Sequence, residues 1–220
     1  MKSCIIIANG DSPKKGIIKY LQKNGATTII AADGGANSAY KLGIVPNYII
    51  GDFDSIKPKV KKYFSDKSEI IKYERQDDTD VEKSLKFAIE KGFESVYLLG
   101  GTGNRMDHSI CNIGIVLKFN NRIRIILLHG KTILHPYSKD VSLQTIPNEI
   151  ISLYAFNSKT KITSEGLKYP LANAVLRFGV SESTSNVALG DKVKLKISGG
   201  IVFVIRNLKV MRKNGLIFKS

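Results

Sequence analysis

The chain has 220 residues, and its apolar fraction of 43% and charged fraction of 24% exclude collagen-like, coiled-coil and wholly disordered proteins. This length suits one large domain or two small ones. The formal net charge of +15 is unusual and indicates anionic partners such as nucleic acid, a membrane surface or phosphorylated small molecules.

The first half of the chain alternates amphipathic stretches with short apolar runs. Helices are predicted around Ile17, Ile18 and Leu21 and over residues 36–42, 58–64, 81–89 and 106–117. Strands are predicted over residues 4–8, 27–32, 48–50, 69–72, 95–99 and 122–128. Regular alternation of strands and helices with short connections favours a mostly parallel α/β sheet.

After about residue 129, short runs of period two replace the helical patterns. Strands are predicted over residues 142–146, 150–156, 193–197, 201–205 and 216–218. The Asn214-Gly215 pair predicts a hairpin between residues 208–212 and 216–218. We therefore predict an α/β protein, with an N-terminal mostly parallel α/β sheet domain at residues 1–132 and a smaller antiparallel β-sandwich domain at residues 138–220.

The cysteine and hydropathy patterns indicate a cytoplasmic protein without a membrane partner. Cys4 and Cys111 are far apart in apolar surroundings, so we expect two buried, reduced thiols and neither a disulfide nor a zinc site. The N-terminal apolar run is too short for the core of a signal peptide. No apolar stretch reaches the roughly 18 residues of a membrane span.

Aspartates are concentrated where the predicted strands of the first half end. Ligands of an open parallel sheet bind at this edge, and carboxylates crowded there need a cation such as Mg²⁺ among them. Asp52 and Asp54 stand two apart in a segment that we expect to be extended, so their side chains would face the same way and share the metal. The seven aspartates at strand ends are Asp33, Asp52, Asp54, Asp77, Asp78, Asp80 and Asp107.

Turn and cap preferences are the alternative explanation for these aspartates. Aspartate favours both positions, and Thr79 with Glu82 has the spacing of a capping box. Each aspartate taken alone is more simply structural. Seven of them at strand ends, in a chain of net charge +15, favour a cation site for the set.

The segment Gly100-Gly-Thr-Gly-Asn-Arg105 joins a predicted strand to a predicted helix. Its glycines let the backbone approach an anion, the N–H groups of the helix suit phosphate, and Arg105 adds a charge-assisted contact. His108 stands at the start of the helix, where it either contacts phosphate or caps the helix. Neither G-x-x-x-x-G-K-[ST] nor G-x-G-x-x-G occurs, so a P-loop or a standard dinucleotide site lacks support.

The second half carries most of the excess positive charge, which leaves nucleic-acid binding open as an alternative. Residues 111–220 hold 17 Lys/Arg and 5 Asp/Glu. However, Lys192, Lys194 and Lys196 alternate with apolar residues like a solvated strand face, and aromatic residues are not interleaved as stacking platforms. A second alternative is a Mg²⁺-dependent phosphohydrolase that uses the same carboxylates with water as the acceptor.

Four motifs of the first half together resemble the bacterial thiamine pyrophosphokinase (thiamine diphosphokinase) family. They are Ala32-Asp-Gly-Gly-Ala-Asn37, Gly51-Asp-Phe-Asp-Ser55, Gln76-Asp-Asp-Thr-Asp80 and Gly103-Asn-Arg-Met-Asp-His108. Gly166-Leu-Lys-Tyr-Pro-Leu171 and Ser185-Asn186 are similar to the thiamine-binding domain of the family. The resemblance implies a catalytic α/β domain that binds ATP and Mg²⁺, a thiamine-binding β-sandwich, and a homodimer with active sites at the subunit interface.

The implied reaction is transfer of the pyrophosphoryl group of ATP to the hydroxyethyl group of thiamine, which gives thiamine diphosphate and AMP. The partners would then be ATP and thiamine, with no nucleic acid. Under this resemblance, Asp52, Asp54 and Asp80 hold Mg²⁺. Residues expected to bind ATP are Asp33, Gly100, Gly101, Thr102, Arg105 and His108, and those expected to bind thiamine are Gln76, Thr79, Ser185 and Asn186.

A carboxylate is expected to orient the thiamine hydroxyl or to accept its proton, because the hydroxyl oxygen is the attacking atom. Asp77 and Asp107 are the two candidates for this catalytic role, and the sequence does not choose between them.

Overall fold

The computed structural model describes residues 2–74, 77–103 and 105–218. The chain divides into two compact units, Met1–Gly130 and Lys131–Ser220, and each unit is described by itself. Among the described residues, none of the helices combines the length and the hydropathy needed to cross a membrane.

The first unit is a parallel α/β sheet, as predicted. Within its described part the strands are β1 (Ser3–Ile7), β2 (Thr28–Ala32), β3 (Tyr48–Gly51), β4 (Glu69–Lys72), β5 (Ser95–Leu99) and β6 (Arg124–His129). The helices are α1 (Lys15–Lys23), α2 (Gly35–Lys41), α3 (Pro58–Phe64), α4 (Asp80–Glu90) and α5 (Met106–Phe119). The central strands are almost wholly apolar and buried, which is typical of a sheet covered on both faces.

The order of the strands in the first unit determines where a ligand-binding crevice opens. It runs β6-β5-β1-β2-β3-β4, with each neighbouring pair parallel. The chain progresses outward from β1 in one direction through β2, β3 and β4, and in the other through β5 and β6. The connections after β1 and β5 therefore leave the sheet in opposite directions and open a crevice at the carboxyl ends of these two strands.

The second unit has two antiparallel sheets around a shared core, which confirms the predicted fold class. Its described strands are β7 (Thr132–Tyr137), β8 (Val141–Gln144), β9 (Ile150–Ala155), β10 (Lys161–Glu165), β11 (Ala174–Val175), β12 (Ser183–Val187), β13 (Lys192–Ser198) and β14 (Val202–Asn207). The two sheets have the orders β12-β9-β14-β7 and β11-β10-β13-β8. Ile151 and Leu153 from one sheet pack in a single apolar cluster with Leu195 and Ile197 from the other.

The predicted hairpin at Asn214-Gly215 is wrong, because residues Leu208–Lys213 form helix α6. The side-chain oxygen of Asn207 caps this helix by accepting from the N–H groups of Lys209 and Val210 at 2.9 and 3.1 Å. Gly215, at φ 65, ends the helix, and the N–H of the next residue, Leu216, donates to the carbonyl of Met211 at 2.8 Å. A glycine with positive φ suits both a hairpin turn and a helix C-terminus, so the pair alone does not distinguish them.

Candidate active site

A cavity of about 440 Å³ lies at the carboxyl ends of the strands of the first unit. Its wall is formed by the segments that follow β1, β2, β3 and β5 and by the first turns of α4 and α5. The residues that line it include Asn9, Gly10, Gly34, Asp52, Ser55, Asp78, Thr79, Asp80, Lys83, Gly100, Gly101, Thr102, Gly103, Arg105, His108, Cys111 and Asn112.

Three carboxylates lie close together here, and we call them the acidic cluster: Asp52 and Asp80, which line the cavity, and the buried Asp33 beside them. One oxygen from each lies within 4.8 Å of the others. Asp33 follows β2, Asp52 follows β3, and Asp80 begins α4, so three connections bring together residues that are far apart in the sequence. Carboxylate oxygens at this spacing fit a hard cation such as Mg²⁺.

Gly51 makes room for the acidic cluster. A Cβ atom at this position would lie 2.7 Å from the Cβ of Asp33 and 3.2 Å from a carboxylate oxygen of Asp80. Any side chain here would therefore force those two residues apart. The glycine of the Gly51-Asp-Phe-Asp-Ser55 motif is required by this close approach.

Asp33 is almost fully buried and holds the loop that follows β3. Its two carboxylate oxygens accept from the N–H groups of Ser55 at 2.9 Å and Ile56 at 3.1 Å. Burial raises the pKa of Asp33 to about 6, the nearby Asp54 and Asp80 add to this rise, and the two N–H groups oppose it. Asp33 was expected to serve the nucleotide, and the structure places it inside the acidic cluster; its role toward the nucleotide stays a prediction.

The expectation of an extended segment between Asp52 and Asp54 is wrong, because Phe53 has a φ of 72. This left-handed residue turns the chain, so the two carboxylates do not share a strand face. Asp54 lies outside the acidic cluster and accepts a hydrogen bond from the Ser55 hydroxyl at 2.7 Å. That hydroxyl, together with a side-chain hydrogen bond to Asp33, lowers the pKa of Asp54.

Lys83 brings a positive charge to the acidic cluster. Its side chain is only 3% exposed, and its ammonium group donates to Asp80 at 3.0 Å and lies 3.6 Å from Asp52. Burial disfavours the charged lysine, but the two carboxylates outweigh burial and raise the pKa of Lys83. Burial also disfavours the charged form of Asp80 and therefore raises the pKa of this carboxyl, although Lys83 opposes that shift.

The glycine-rich segment after β5 is held close to the segment after β1. The N–H groups of Gly10 and Asp11 donate to the carbonyls of Gly100 and Thr102 at 2.7 and 2.9 Å. Asn112 fixes the same segment from α5 by donating to the carbonyl of Gly101 at 2.6 Å. The Thr102 hydroxyl is buried and has no hydrogen-bond partner among the described residues. Gly100, Gly101 and Thr102 all border the cavity, and phosphate binding by this segment stays a prediction.

Arg105 and His108 also line the cavity, but the two candidates for the catalytic carboxylate do not. Asp107 is exposed and accepts from the guanidinium of Arg105 at 2.9 Å, and this bond holds its pKa well below the usual range. Asp77 is exposed as well. The carboxylate that does line the cavity is Asp78, which accepts from Lys86 at 2.6 and 2.7 Å.

The residues expected to bind thiamine are divided between the two units. Thr79 lines the cavity and forms the predicted capping box: its hydroxyl accepts from the N–H of Glu82 at 3.2 Å, and its own N–H donates to the Glu82 carboxylate at 3.0 Å. Gln76 lies outside the described residues. Ser185 and Asn186 belong to β12 in the second unit.

In the second unit, Asn186 joins the two motifs that resemble a thiamine-binding domain. Its buried side-chain amide donates to the carbonyl of Tyr169 at 2.8 Å and accepts from the N–H of the same residue at 3.1 Å. Ser185 is exposed and has a φ of 55, and its N–H donates to the hydroxyl of Ser152 at 2.9 Å. Asn186 thus holds the 166–171 segment in place beside the exposed Ser185.

Several cavity residues were missed at the sequence level. Asn9 and Gly10 follow β1 just as the predicted aspartates follow other strands, so the rule used for aspartate would have found them. Lys83 follows Asp80 by three residues, which places both on one face of α4. Cys111 was expected to be buried, but it is exposed on α5 and lines the cavity.

Comparison with known proteins identifies relatives for both units. The thiamin pyrophosphokinase catalytic domain matches residues 19–127, and the thiamin pyrophosphokinase vitamin B1 binding domain matches residues 138–202. Thiamine pyrophosphokinase 2 of Oryza sativa is 31% identical over 212 residues, covering 81% of this chain and 78% of its own length. Thiamine pyrophosphokinase of Bacillus subtilis is 28% identical over 214 residues, covering 94% of this chain and 99% of its own. Its solved structure superposes with a TM-score of 0.80 at 25% identity, over 94% of this chain and 99% of that one.

Proposed function

The chain belongs to the thiamin pyrophosphokinase family and transfers a pyrophosphoryl group from ATP to thiamine, and we propose that it does so with one Mg²⁺ held by the acidic cluster. The observation that carries this proposal is the set of three carboxylates within 4.8 Å of one another at the edge of the cavity. When bound, the cation neutralises negative charge on the phosphates that are transferred. Asp52 and Asp80 are partly exposed and are the ligands that reach the cavity. Asp33 is buried next to them.

The remaining cavity residues bind and orient ATP. The segment from Gly100 to Thr102 borders the cavity, where its glycines let the backbone approach phosphate oxygens closely. Arg105 and His108 lie at the start of α5, where a cationic guanidinium suits the same phosphates. Transfer of this type depends mostly on positioning and charge neutralisation, so no protein nucleophile is required.

The carboxylate that orients the thiamine hydroxyl is proposed to be Asp77 rather than Asp107. Both carboxylate oxygens of Asp107 already accept hydrogen bonds from the guanidinium of Arg105, so Asp107 is engaged in an ion pair. Asp77 lies in the same motif as Thr79 and Asp80, both of which line the cavity.

The thiamine site and the assembly form the second part of the proposal. Gln76 and Thr79 from the catalytic domain, at residues 1–132, and Ser185 and Asn186 from the thiamine-binding domain, at residues 138–220, are proposed to contact thiamine. Two copies of the chain are proposed to share each site across a homodimer interface. The buried, reduced Cys4 thiol suits a cytoplasmic location.

Replacing Asp52 by Asn tests the cation site. Loss of one ligand charge should lower ATP turnover by orders of magnitude. Melting without divalent cations should change little, because neutralising one of three crowded carboxylates relieves repulsion but also removes one of the two partners of Lys83. Asp66→Asn is the matched control, since Asp66 is an exposed carboxylate that pairs only with the neighbouring Lys67 among the described contacts.

The opposite pattern would exclude a metal role for Asp52. A carboxylate that only caps or turns the chain costs about 0.5–2 kcal/mol of stability when it is replaced. The Asp52→Asn protein would then melt at a lower temperature but remain active.

A further inference from the structure

Lys83 has an environment that the transfer reaction alone does not explain. The ammonium group is buried, with 3% of the side chain exposed, and it faces two members of the acidic cluster. Burying a lysine costs free energy unless carboxylates compensate for the lost hydration. Here Asp80 at 3.0 Å and Asp52 at 3.6 Å provide that compensation, and both are the proposed ligands of the cation.

The other lysines of α4 and α5 that pair with acidic residues differ from Lys83. Lys86 binds Asp78, and Lys118 binds the capping residue Glu82 at 2.6 Å. The side chain of Lys118 is 62% exposed. Among the described ion pairs, Lys83 is the cation that contacts members of the acidic cluster.

We propose that Lys83 is a built-in counter-ion of the acidic cluster and makes binding of the divalent cation depend on the nucleotide. This inference rests on the proposed cation site. A divalent cation that enters the cluster meets the positive charge of Lys83, which is already bound to two of the three carboxylates. The ammonium therefore weakens binding of the free cation, and the phosphates of ATP restore the negative charge that the cation requires.

The same contact makes Lys83 a positioning residue. Asp52 follows β3 and Asp80 begins α4, so the ammonium joins carboxylates from two separate connections. In the absence of the cation, it balances part of their mutual repulsion and keeps both side chains at the cavity. Lys83 is not a ligand of the cation, because an ammonium group has no free electron pair.

Direct measurement of Mn²⁺ binding tests this proposal. Mn²⁺ replaces Mg²⁺ as a spectroscopic probe and is titrated into the protein with and without a non-hydrolysable ATP analogue. Lys83→Met removes the charge at similar size, and Lys83→Gln removes the charge but keeps a hydrogen-bond donor. Without nucleotide, both variants should bind Mn²⁺ at least about tenfold more tightly than the unmodified protein.

Two controls separate charge from general effects on stability. Lys118→Met removes an ion pair from the same region without touching the acidic cluster, and should leave Mn²⁺ affinity unchanged. Lys83→Arg keeps the positive charge and should also keep the weak binding. In EDTA, Lys83→Met should melt at a lower temperature than the unmodified protein. Added Mg²⁺ should raise the melting temperature of Lys83→Met by more than it raises that of the unmodified protein.

The outcomes distinguish this inference from the cation site itself. If the unmodified protein binds Mn²⁺ with the nucleotide analogue but the Lys83 variants bind it no more tightly without the analogue, the counter-ion role is wrong and the cation site stands. If no form binds Mn²⁺ even with the analogue, the cation site is wrong and the inference falls with it. Should Lys83→Met fail to fold, Lys83→Gln gives the same comparison. Should both fail, Lys83→Arg still decides, because binding by this variant tighter than that of the unmodified protein would contradict a charge effect.

Discussion

The spacing of the acidic cluster depends on residue 51 being a glycine, because a Cβ atom there would clash with Asp33. Gly51→Ala should lower activity by about 100-fold, because the new methyl group would displace Asp33 and Asp80 from their shared position. Kinetic constants as a function of Mg²⁺ concentration provide the measurement. Gly16→Ala is the control, since a Cβ at this helical position meets no atom within 4 Å. Full activity of Gly51→Ala with normal Mg²⁺ dependence would contradict this account of the cluster.

The two cysteines should differ sharply in reactivity. Burial raises the pKa of Cys4 from 9.0 to about 12, so this thiol stays protonated and unreactive at pH 8, whereas Cys111 is exposed. Iodoacetamide should label Cys111 alone in the folded protein, as measured by peptide mass spectrometry, and ATP with Mg²⁺ should slow the labelling. Equal labelling of both residues would contradict the placement of Cys4.

The raised pKa of the Cys4 thiol also affects stability at high pH. Between pH 9.0 and about 12, the Cys4 thiol ionises in the unfolded chain but not in the folded one. The unfolded state is thereby favoured, and the free energy of unfolding falls as the pH rises through this range.

At the residue level, the sequence predicts which aspartates come together but not how. The rule that ligands bind at strand ends brings Asp52 and Asp80 to one cavity. It does not predict that Asp33 joins them in place of Asp54, because this depends on the positive φ of Phe53 and on hydrogen bonds from Ser55 and Ile56. Such features require the tertiary structure, since they arise from contacts between separate connections.

Among the elements, a buried ion pair joins the segment before β9 to β14. Arg206 donates to both carboxylate oxygens of Glu149 at 2.7 Å and to the carbonyl of Gln144 at 2.7 Å, and both charged side chains are almost fully buried. Arg206→Met leaves the Glu149 carboxylate unpaired, so the free energy of unfolding should fall by about 3–5 kcal/mol. Chemical denaturation measures this change.

The control for this change is Lys194→Met, which breaks the exposed pair between Lys194 and Glu165. Because solvent screens such a pair, its loss should leave the denaturation midpoint unchanged. An equal effect of the two substitutions would show that burial does not set the strength of the Arg206–Glu149 pair.

The elements themselves follow local rules that the sequence largely reveals. The capping box of Thr79 and Glu82 starts α4 as predicted, because both partners lie within one turn. The hairpin prediction at Asn214-Gly215 fails because Asn207, seven residues earlier, caps a helix that the same glycine ends. A local signal shared by two structures is resolved only by the residues around it.

For the whole molecule, the proposed shared site predicts recovery of activity when two defective subunits are mixed. Asp52→Asn damages the catalytic domain, and Ser185→Gly damages the proposed thiamine-binding surface while suiting the positive φ of that residue. Each variant alone should be nearly inactive. Random mixing places both defects in one site of each mixed dimer and leaves the other site intact, so activity should recover to about a quarter of the unmodified level.

Absence of recovery, together with full activity at concentrations where the chain is monomeric by mass photometry, would contradict the shared site. This result would leave the transfer reaction itself unaffected, because the acidic cluster and the glycine-rich segment lie within the first unit.

Product analysis with labelled ATP tests the transfer of an intact pyrophosphoryl group most directly. The protein is incubated with thiamine, Mg²⁺ and ATP that carries the label on its α-phosphate, and a parallel reaction carries the label on the β-phosphate. We expect the α-label in AMP and the β-label in thiamine diphosphate, with no turnover when thiamine is omitted. Recovery of the α-label in ADP, or brisk release of phosphate without thiamine, would contradict the assigned reaction.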